Sequence, residues 1–253
     1  MRKNVLTTVI ALIAFSLFTL NLAASEFDSC EQWATFSNGG FNVYNNIWGG
    51  GAGAQCLSAN SYKDWEVRAD HPNTGGVKSY PNVSKELSID VDNLGSCISS
   101  FSVTRPSSGA YCSAYDIWYN DHSYEVMLWM NKTGAVGPLG SYQTKATVGG
   151  HTWDIYKGSN GWNNVFSFIR TSNTNSGTVD IKAITDWLRN NNWFGNVKLH
   201  KIEFGFEITS SNGGMNFAVN DYSLSYSEGG SSSSSGGGAS GGCNGGNWNG
   251  GCN

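Results

Sequence analysis

Residues 114–131, AYDIWYNDHSYEVMLWMN, contain two runs of alternating character parted by a short polar break. That pattern predicts two neighbouring antiparallel strands joined by a tight turn. Strand side chains alternate with a period of two, so Glu125, Met127 and Trp129 share one face while Val126, Leu128 and Met130 share the other. The second set is wholly apolar and belongs to a core. In the first run Asp116 and Trp118 lie on one face. A two-residue turn at Asn120 and Asp121 pairs Tyr119 with His122 and sets Asp116 directly opposite Glu125. Two carboxyl groups opposed on one face repel each other, so the pair is costly unless one is protonated or the pair has a task.

The same short-strand rhythm runs from Glu31 to Tyr226, through FNVYNNIW, KELSIDV, CISSFSVT, NVFSFIR, VKLHKIEFGFEI and MNFAVNDYSLSYS, with Gly, Asn and Ser between. Many evenly spaced strands of this kind predict an all-β jelly-roll sandwich of two antiparallel sheets. One segment departs from it. TVDIKAITDWLRNNNWFG places Ile181, Ile184 and Leu188 on one helical face, with Asp180 in the first turn and Arg189 in the last, and Gly195 available to close it. One amphipathic helix is expected there, packed on the outside of a sheet.

The ends of the chain differ in kind. Arg2 and Lys3 precede an uncharged apolar run, and Ala23, Ala24 and Ser25 follow it, so residues 1–25 read as a secretory signal peptide. The run is short for a membrane span and lacks a basic flank behind it. A secreted location without a membrane anchor is therefore expected, and residues 26–228 form the folded domain. Residues 229–242 are a Gly/Ser linker, and 243–253 a short tail bounded by Cys243 and Cys252. All six cysteines lie behind the leader, as suits an oxidising compartment. Pairing sequence neighbours gives Cys30–Cys56, Cys97–Cys112 and Cys243–Cys252. No Cys-x-x-Cys spacing supports a metal site, and the four histidines, His71, His122, His151 and His200, have no ligand spacing and read as loop or surface residues.

Only 13% of the residues are charged and the net charge is −4, which excludes a nucleic-acid partner that needs a basic surface. Abundant Trp, Tyr, Asn, Gly and Ser suit a neutral, hydroxyl-rich ligand such as a polysaccharide. In VKLHKIEFGFEITS, Phe204, Phe206 and Ile208 face a core, and Glu203, Gly205 and Glu207 face away from it. Gly205 leaves space there for another group or a ligand. Glu125 and Glu207 are thus both embedded in aromatic strands, which fits a cleft better than an open surface. Two such carboxyl groups are the minimum equipment for glycoside hydrolysis, one ionised to attack the anomeric carbon and one protonated to serve the leaving oxygen. Asp116 is placed to orient the first. No Gly-x-Ser-x-Gly elbow is present, and GGGAGA at 49–54 is not followed by a helix as a dinucleotide loop would be.

These motifs, in order, carry a resemblance. Asn46-Ile47-Trp48-Gly49 after FNVYN, YDIW at 115–118, EVMLW at 125–129, GPLGS at 137–141 and EFGFEI at 203–208 resemble glycoside hydrolase family 12, secreted jelly-roll endoglucanases, over about residues 30–226. The resemblance implies a concave substrate cleft, Glu125 as nucleophile, Glu207 as general acid/base and Asp116 as a hydrogen-bond partner of the nucleophile. It also implies that Asn46 and Met127 flank the scissile bond, that Trp48 and Trp129 are sugar platforms, and that Pro138 touches substrate. By the same resemblance Trp33 and Trp65 fall in the non-reducing half of the cleft. The expected activity is retaining, endo-acting hydrolysis of β-1,4-glucosidic bonds in cellulose or related β-glucans, by a monomer without cofactor or metal. Xyloglucan or mixed-linkage glucan is the alternative substrate, and a non-catalytic carbohydrate-binding jelly roll the alternative function.

Overall fold

The computed structural model describes residues 25–229, so the leader up to residue 24 and the linker and tail from residue 230, with Cys243 and Cys252, lie outside the described residues. The strands in chain order are β1 (Phe27–Ser29), β2 (Thr35–Asn38), β3 (Phe41–Tyr44), β4 (Ala54–Ser61), β5 (Asp64–Asp70), β6 (Asn82–Asp90), β7 (Leu94–Thr104) and β8 (Ala110–Tyr119), then β9 (Tyr124–Thr133), β10 (Ser141–Val148), β11 (His151–Ser159), β12 (Asn164–Arg170) and β13 (Ser176–Asp180). Helix α1 (Ile181–Asn190), β14 (Lys198–Ser210) and β15 (Met215–Glu228) complete the fold. They form two stacked sheets, one of six strands ordered β1-β4-β5-β15-β7-β13 and one of nine ordered β10-β11-β12-β9-β8-β14-β6-β3-β2. All pairings are antiparallel except that of β12 with β9, which is parallel, so the nine-stranded sheet is not uniformly antiparallel as expected.

Alternation decides what each face buries. Tyr111, Tyr115, Ile117 and Tyr119 of β8, Val126, Leu128 and Met130 of β9, and Ile202, Phe204, Phe206 and Ile208 of β14 all enter one core with Leu57, Val67, Phe101, Val103, Phe217 and Val219 of the six-stranded sheet. Aromatic edges interlock across that layer, as between Trp65 and Phe206 and between Tyr111 and Phe217. Their even- or odd-numbered partners therefore point outward from the nine-stranded sheet. Asp116, Met127, Trp129 and Glu203 belong to that outward set yet are buried. An outward face can bury its side chains only where it is recessed.

The hairpin at its centre is wider than the sequence suggests. Tyr119 pairs with Tyr124, Trp118 with Glu125 and Asp116 with Met127, so Asp116 does not sit directly opposite Glu125. The turn has four residues, 120–123, closed by Ser123 N–H donating to the Asn120 carbonyl. Its width has a tertiary cause: Asn120 donates its own N–H to Lys198 O and accepts Lys198 N–H on its side-chain oxygen. That clamp to the start of β14 holds Asn120 and Asp121 at positive φ of 47° and 60°. The shift is two residues, an even number, so Asp116 and Glu125 keep the same face and become diagonal neighbours.

Helix α1 is where the periodicity places it, with Asp180 as N-cap accepting from Ala183 N–H. It is closed by Asn192 in the left-handed region (φ 59°) rather than by Gly195. Ile181, Ile184 and Leu188 join the main core instead of covering the outside of a sheet, and Trp187 meets Phe168 edge-on. Cys30 and Cys56 are bridged, tying the segment before β2 to β4. Cys97 and Cys112 are not bridged; both are buried free thiols. They flank a tight connection but lie on β7 and β8, which belong to opposite sheets, with Cys97 in the core and Cys112 on the outward face. His71 is also misread by the sequence. It is buried, accepting from Gly53 N–H at 3.0 Å and bonded through its other nitrogen to Gln55 and Ser79.

Candidate active site

The recessed face is built from alternate residues of β9, β8 and β14, which are neighbours in the sheet. Glu203 pairs with Asp116 across β14 and β8, and Asp116 with Met127 across β8 and β9. Glu125 lines up with Trp118, and Trp118 with Lys201. Glu207, four residues beyond Glu203 on the same side of β14, pairs with Cys112. Four acids thus share one face, with Lys201 beside them. Gly205 between the two glutamates is needed for a backbone reason. A Cβ there would lie 2.0 Å from Pro81 O and 2.7 Å from Asn82 Cα. The space expected for a ligand is filled by the close approach of β6.

Each carboxyl group has a distinct environment. Glu125 Oε2 accepts from the side-chain N–H of Asn163 at 2.8 Å. Glu203 accepts from Trp118 Nε1–H at 3.0 Å and is paired with Lys201 Nζ at 3.1 Å. Asp116 is 6% exposed, and its Oδ1 is buried without a hydrogen-bond partner. Burial pushes Asp116 well above the usual carboxylate range, and the charges of Glu125, Glu203 and Glu207 push it further, with Lys201 opposing. Burial likewise lifts Glu207 to about 7, with a contribution from Glu125. Glu125 is raised by burial too, but Asn163 acts in the opposite direction by favouring the charged form. Of the diagonal pair, Glu125 has a donor that rewards ionisation and Asp116 has none, so ionisation is favoured at Glu125 over Asp116. Glu207, like Asp116, makes no ion pair, and its carboxyl is about half protonated at pH 7.

The other expected site residues divide. Asn46 sits at positive φ (46°) and is locked to Tyr80, donating to Tyr80 O at 3.0 Å and accepting Tyr80 N–H at 3.0 Å. Trp33 and Trp48 are open, 61% and 52% exposed, while Pro138 is half-buried in the loop before β10. Met127 and Trp129 lie on the recessed face, packed with Cys112, Ala114, Val165 and Ile169. Trp129 is therefore covered, a floor of that face rather than an open platform. Trp65 is a correction. At 2% exposure it points from β5 into the core between the sheets, because odd positions of that strand face inward. Trp153 is core as well, whereas Trp162 is 94% exposed in the turn that carries Asn163. Sequence reasoning missed Asn163 and Tyr44, which reach the face from a turn and a strand distant in the chain, and the roles of Trp118 and Lys201, although period-two spacing sets them beside Asp116 and Glu203. Among the described residues no group of three or more His, Cys, Asp or Glu could hold a metal ion.

The geometry agrees with relatives of known kind. The family model described as Glycosyl hydrolase family 12 matches residues 39–227. A xyloglucan-specific endo-beta-1,4-glucanase A of Emericella nidulans is 31% identical over 239 residues, covering 85% of this chain and 99% of its own. Endoglucanase S of Pectobacterium parmentieri is 29% identical over 244 residues, covering 83% of this chain and 91% of its own. Among solved structures, the xyloglucanase domain of a type three effector from Sinorhizobium fredii, in complex with cellobiose, superposes with a TM-score of 0.78 at 35% identity, covering 80% of this chain and all of that one. A family model spanning most of the chain, a two-sheet sandwich that superposes on that domain and acids gathered on one recessed face have a single reading: the chain belongs to glycosyl hydrolase family 12.

Proposed function

We propose that the chain is an endo-acting, retaining hydrolase of β-1,4-glucosidic bonds in neutral β-glucans, with Glu125 as nucleophile and Glu207 as general acid/base. The observation that carries this reading is the separation of the two carboxyl environments. Glu125 has a donor favouring its ionised form, and Glu207 holds its proton up to about pH 7. Glu125 attacks the anomeric carbon as Glu207 protonates the departing glycosidic oxygen, leaving a sugar esterified to Glu125. Glu207, now a carboxylate, takes a proton from water, and that water releases the sugar with its original anomeric configuration. Asp116 stays protonated and diagonal to Glu125, where its hydroxyl can steady the ester-forming oxygen. Met127 and Asn46 shape the face beside the scissile bond, and the open indoles of Trp33 and Trp48 suit stacking against sugar rings. The leader at 1–25 and the Cys30–Cys56 bridge support secretion, and a monomer suffices for this chemistry.

The relatives named for xyloglucan favour a second substrate reading, in which the backbone cleaved carries side chains. Product analysis on a soluble cellulose derivative, mixed-linkage glucan and xyloglucan separates the two, and NMR of the fresh product reads retention. Glu125→Ala and Glu207→Ala should each remove hydrolysis with the fold intact. Near-normal release of reducing sugar by either variant would sink the assignment of these two residues. A wild-type chain that binds the polymers and releases nothing would be a lectin, and a structure with bound sugar should show the two carboxyl groups roughly 5–5.5 Å apart.

A further inference from the structure

The six-stranded sheet carries a cluster that the reaction does not use. At one end of β5, β15 and β7, which are neighbours in that sheet, Arg68, Arg105, Ser107, Ser108, Met215 and Asn216 line a cavity of about 490 Å³. The core separates it from the recessed face, since the two sheets stack with their apolar sides together. Acids outnumber Lys and Arg in this chain, 19 to 15, so a cation without a carboxylate neighbour stands out. Among the described residues neither Arg68 nor Arg105 forms an ion pair. A guanidinium is always charged, and two that line one cavity repel each other unless an anion lies between them. The pair is also held ready. Arg105 donates from Nε to Asn175 Oδ1 at 2.8 Å, and from Nη1 to Tyr111 Oη at 3.2 Å and Thr133 Oγ1 at 3.0 Å. Those bonds fix the plane of its guanidinium and leave its Nη2 uncommitted within the described residues. Tyr111, wholly buried, donates its hydroxyl to Pro106 O and so ties down the turn that carries Ser107 and Ser108. Arg68 is exposed on β5 beside Gly214, where a Cβ would lie 3.6 Å from its Nη2, and no described group accepts from it.

We propose that Arg68 and Arg105 form an oxyanion-binding site on the side of the domain away from the cleft, for a ligand that carries a carboxylate or a phosphate group. The guanidinium fork matches either group with paired N–H donors, and the hydroxyls of Ser107 and Ser108 and the amide of Asn216 add neutral donors around it. The cavity has room for more than a bare ion, since sites for small organic molecules start at about 300 Å³. A uronic acid, with one carboxylate and several hydroxyls, fits that mixture, and Pro106 and Met215 offer apolar contact to its ring. The site thus accepts an acidic sugar, which the four acids of the recessed face repel. It stands whether or not the chain cleaves a glucan.

Calorimetry of the full chain at low salt tests this with trigalacturonate, inorganic phosphate and, as a neutral probe of the cleft, cellotriose. Trigalacturonate should bind the wild-type chain. Its affinity should fall about ten- to a hundredfold, the worth of one charge-assisted hydrogen bond, in Arg68→Gln and in Arg105→Lys, which keeps the charge and loses the fork. Cellotriose affinity, and kcat/KM on a soluble glucan, should not change in Arg68→Gln. Lys63→Gln removes one charge just before β5, at the end of that strand away from Arg68, and should leave trigalacturonate affinity as it is. Phosphate sorts the source of the anion. Displacement of trigalacturonate by phosphate supports a site that reads the oxyanion on a sugar, and phosphate binding alone, lost in the same variants, supports a site for a small free anion. The proposal is overturned if neither anion binds the wild-type chain, if the Arg68 and Arg105 variants bind as wild type does, or if Lys63→Gln weakens binding as much as Arg68→Gln. Should Arg105→Lys lose stability through its contacts with Tyr111 and Thr133, the exposed Arg68 reads the same site by itself.

Discussion

Asn163→Ala should displace one limb of the pH profile and leave the other in place. The Asn163 side chain donates to Glu125 Oε2 at 2.8 Å and is itself buried. Its backbone is held independently, since Asn163 N–H donates to the Asn160 side chain and Asn163 O accepts from Ser159, so the alanine variant keeps the turn. A hydrogen bond to a charged group is worth about 1.5–3 kcal/mol, and 1.36 kcal/mol corresponds to one pH unit. Asn163 favours the charged form, so its loss raises the Glu125 pKa, and the acid limb of kcat/KM should move up by roughly one to two pH units. The alkaline limb belongs to Glu207, near 7, and Asn163 is not among the causes of its elevation. The bell should therefore narrow from the acid side and its maximum fall. The assay is kcat/KM on a chromogenic cellobioside from pH 4 to 9. A uniform loss at all pH values, or movement of the alkaline limb alone, would refute the role given to Asn163.

Three further outcomes follow from the same residues. Glu207 has a folded-state pKa of about 7 against an ordinary 4.5, so its ionisation destabilises the fold by up to about 3 kcal/mol above pH 7 and by nothing below 4.5; Glu207→Gln should melt higher than wild type at pH 8 and no higher at pH 4, while losing activity at both. Trp65→Ala should cost about 3–5 kcal/mol in urea unfolding with KM unchanged, whereas Trp33→Ala should leave stability intact and raise KM; a KM effect from Trp65 without loss of stability would contradict its place in the core. Reducing Cys30–Cys56, which closes a loop of 26 residues, should cost about 3 kcal/mol, and thiol titration of the native domain should find Cys97 and Cys112 unreactive until it is unfolded.

Much of the fold and of the site is legible in the chain because alternation is local. A period of two in 114–129 and 201–208 assigns Glu125, Glu207 and Asp116 to one face of their strands and Phe204, Phe206 and Leu128 to the other, and that parity holds until a bulge interrupts it, as between Leu199 and Lys201. The helix at 181–190 is legible for the same reason, its apolar spacing and Asp180 cap being properties of one segment. Register, pairing and burial are not local. The four-residue turn after Tyr119 exists because Lys198, some eighty residues on, clamps Asn120, and it moves Asp116 from opposite Glu125 to a diagonal position. Sheet membership separates Cys97 from Cys112 although fifteen positions part them, and sinks Trp65 into the core while Trp33 stays open. Asn163 and Tyr44 meet the acids only once β12, which follows Asn163, and β3 are laid into the sheet that holds β9 and β14. Sequence alone determines which side chains share a face, because that depends on backbone geometry. Which of them meet, and which acid keeps its proton, depends on desolvation and on charges brought together from distant strands, and only the tertiary structure decides it.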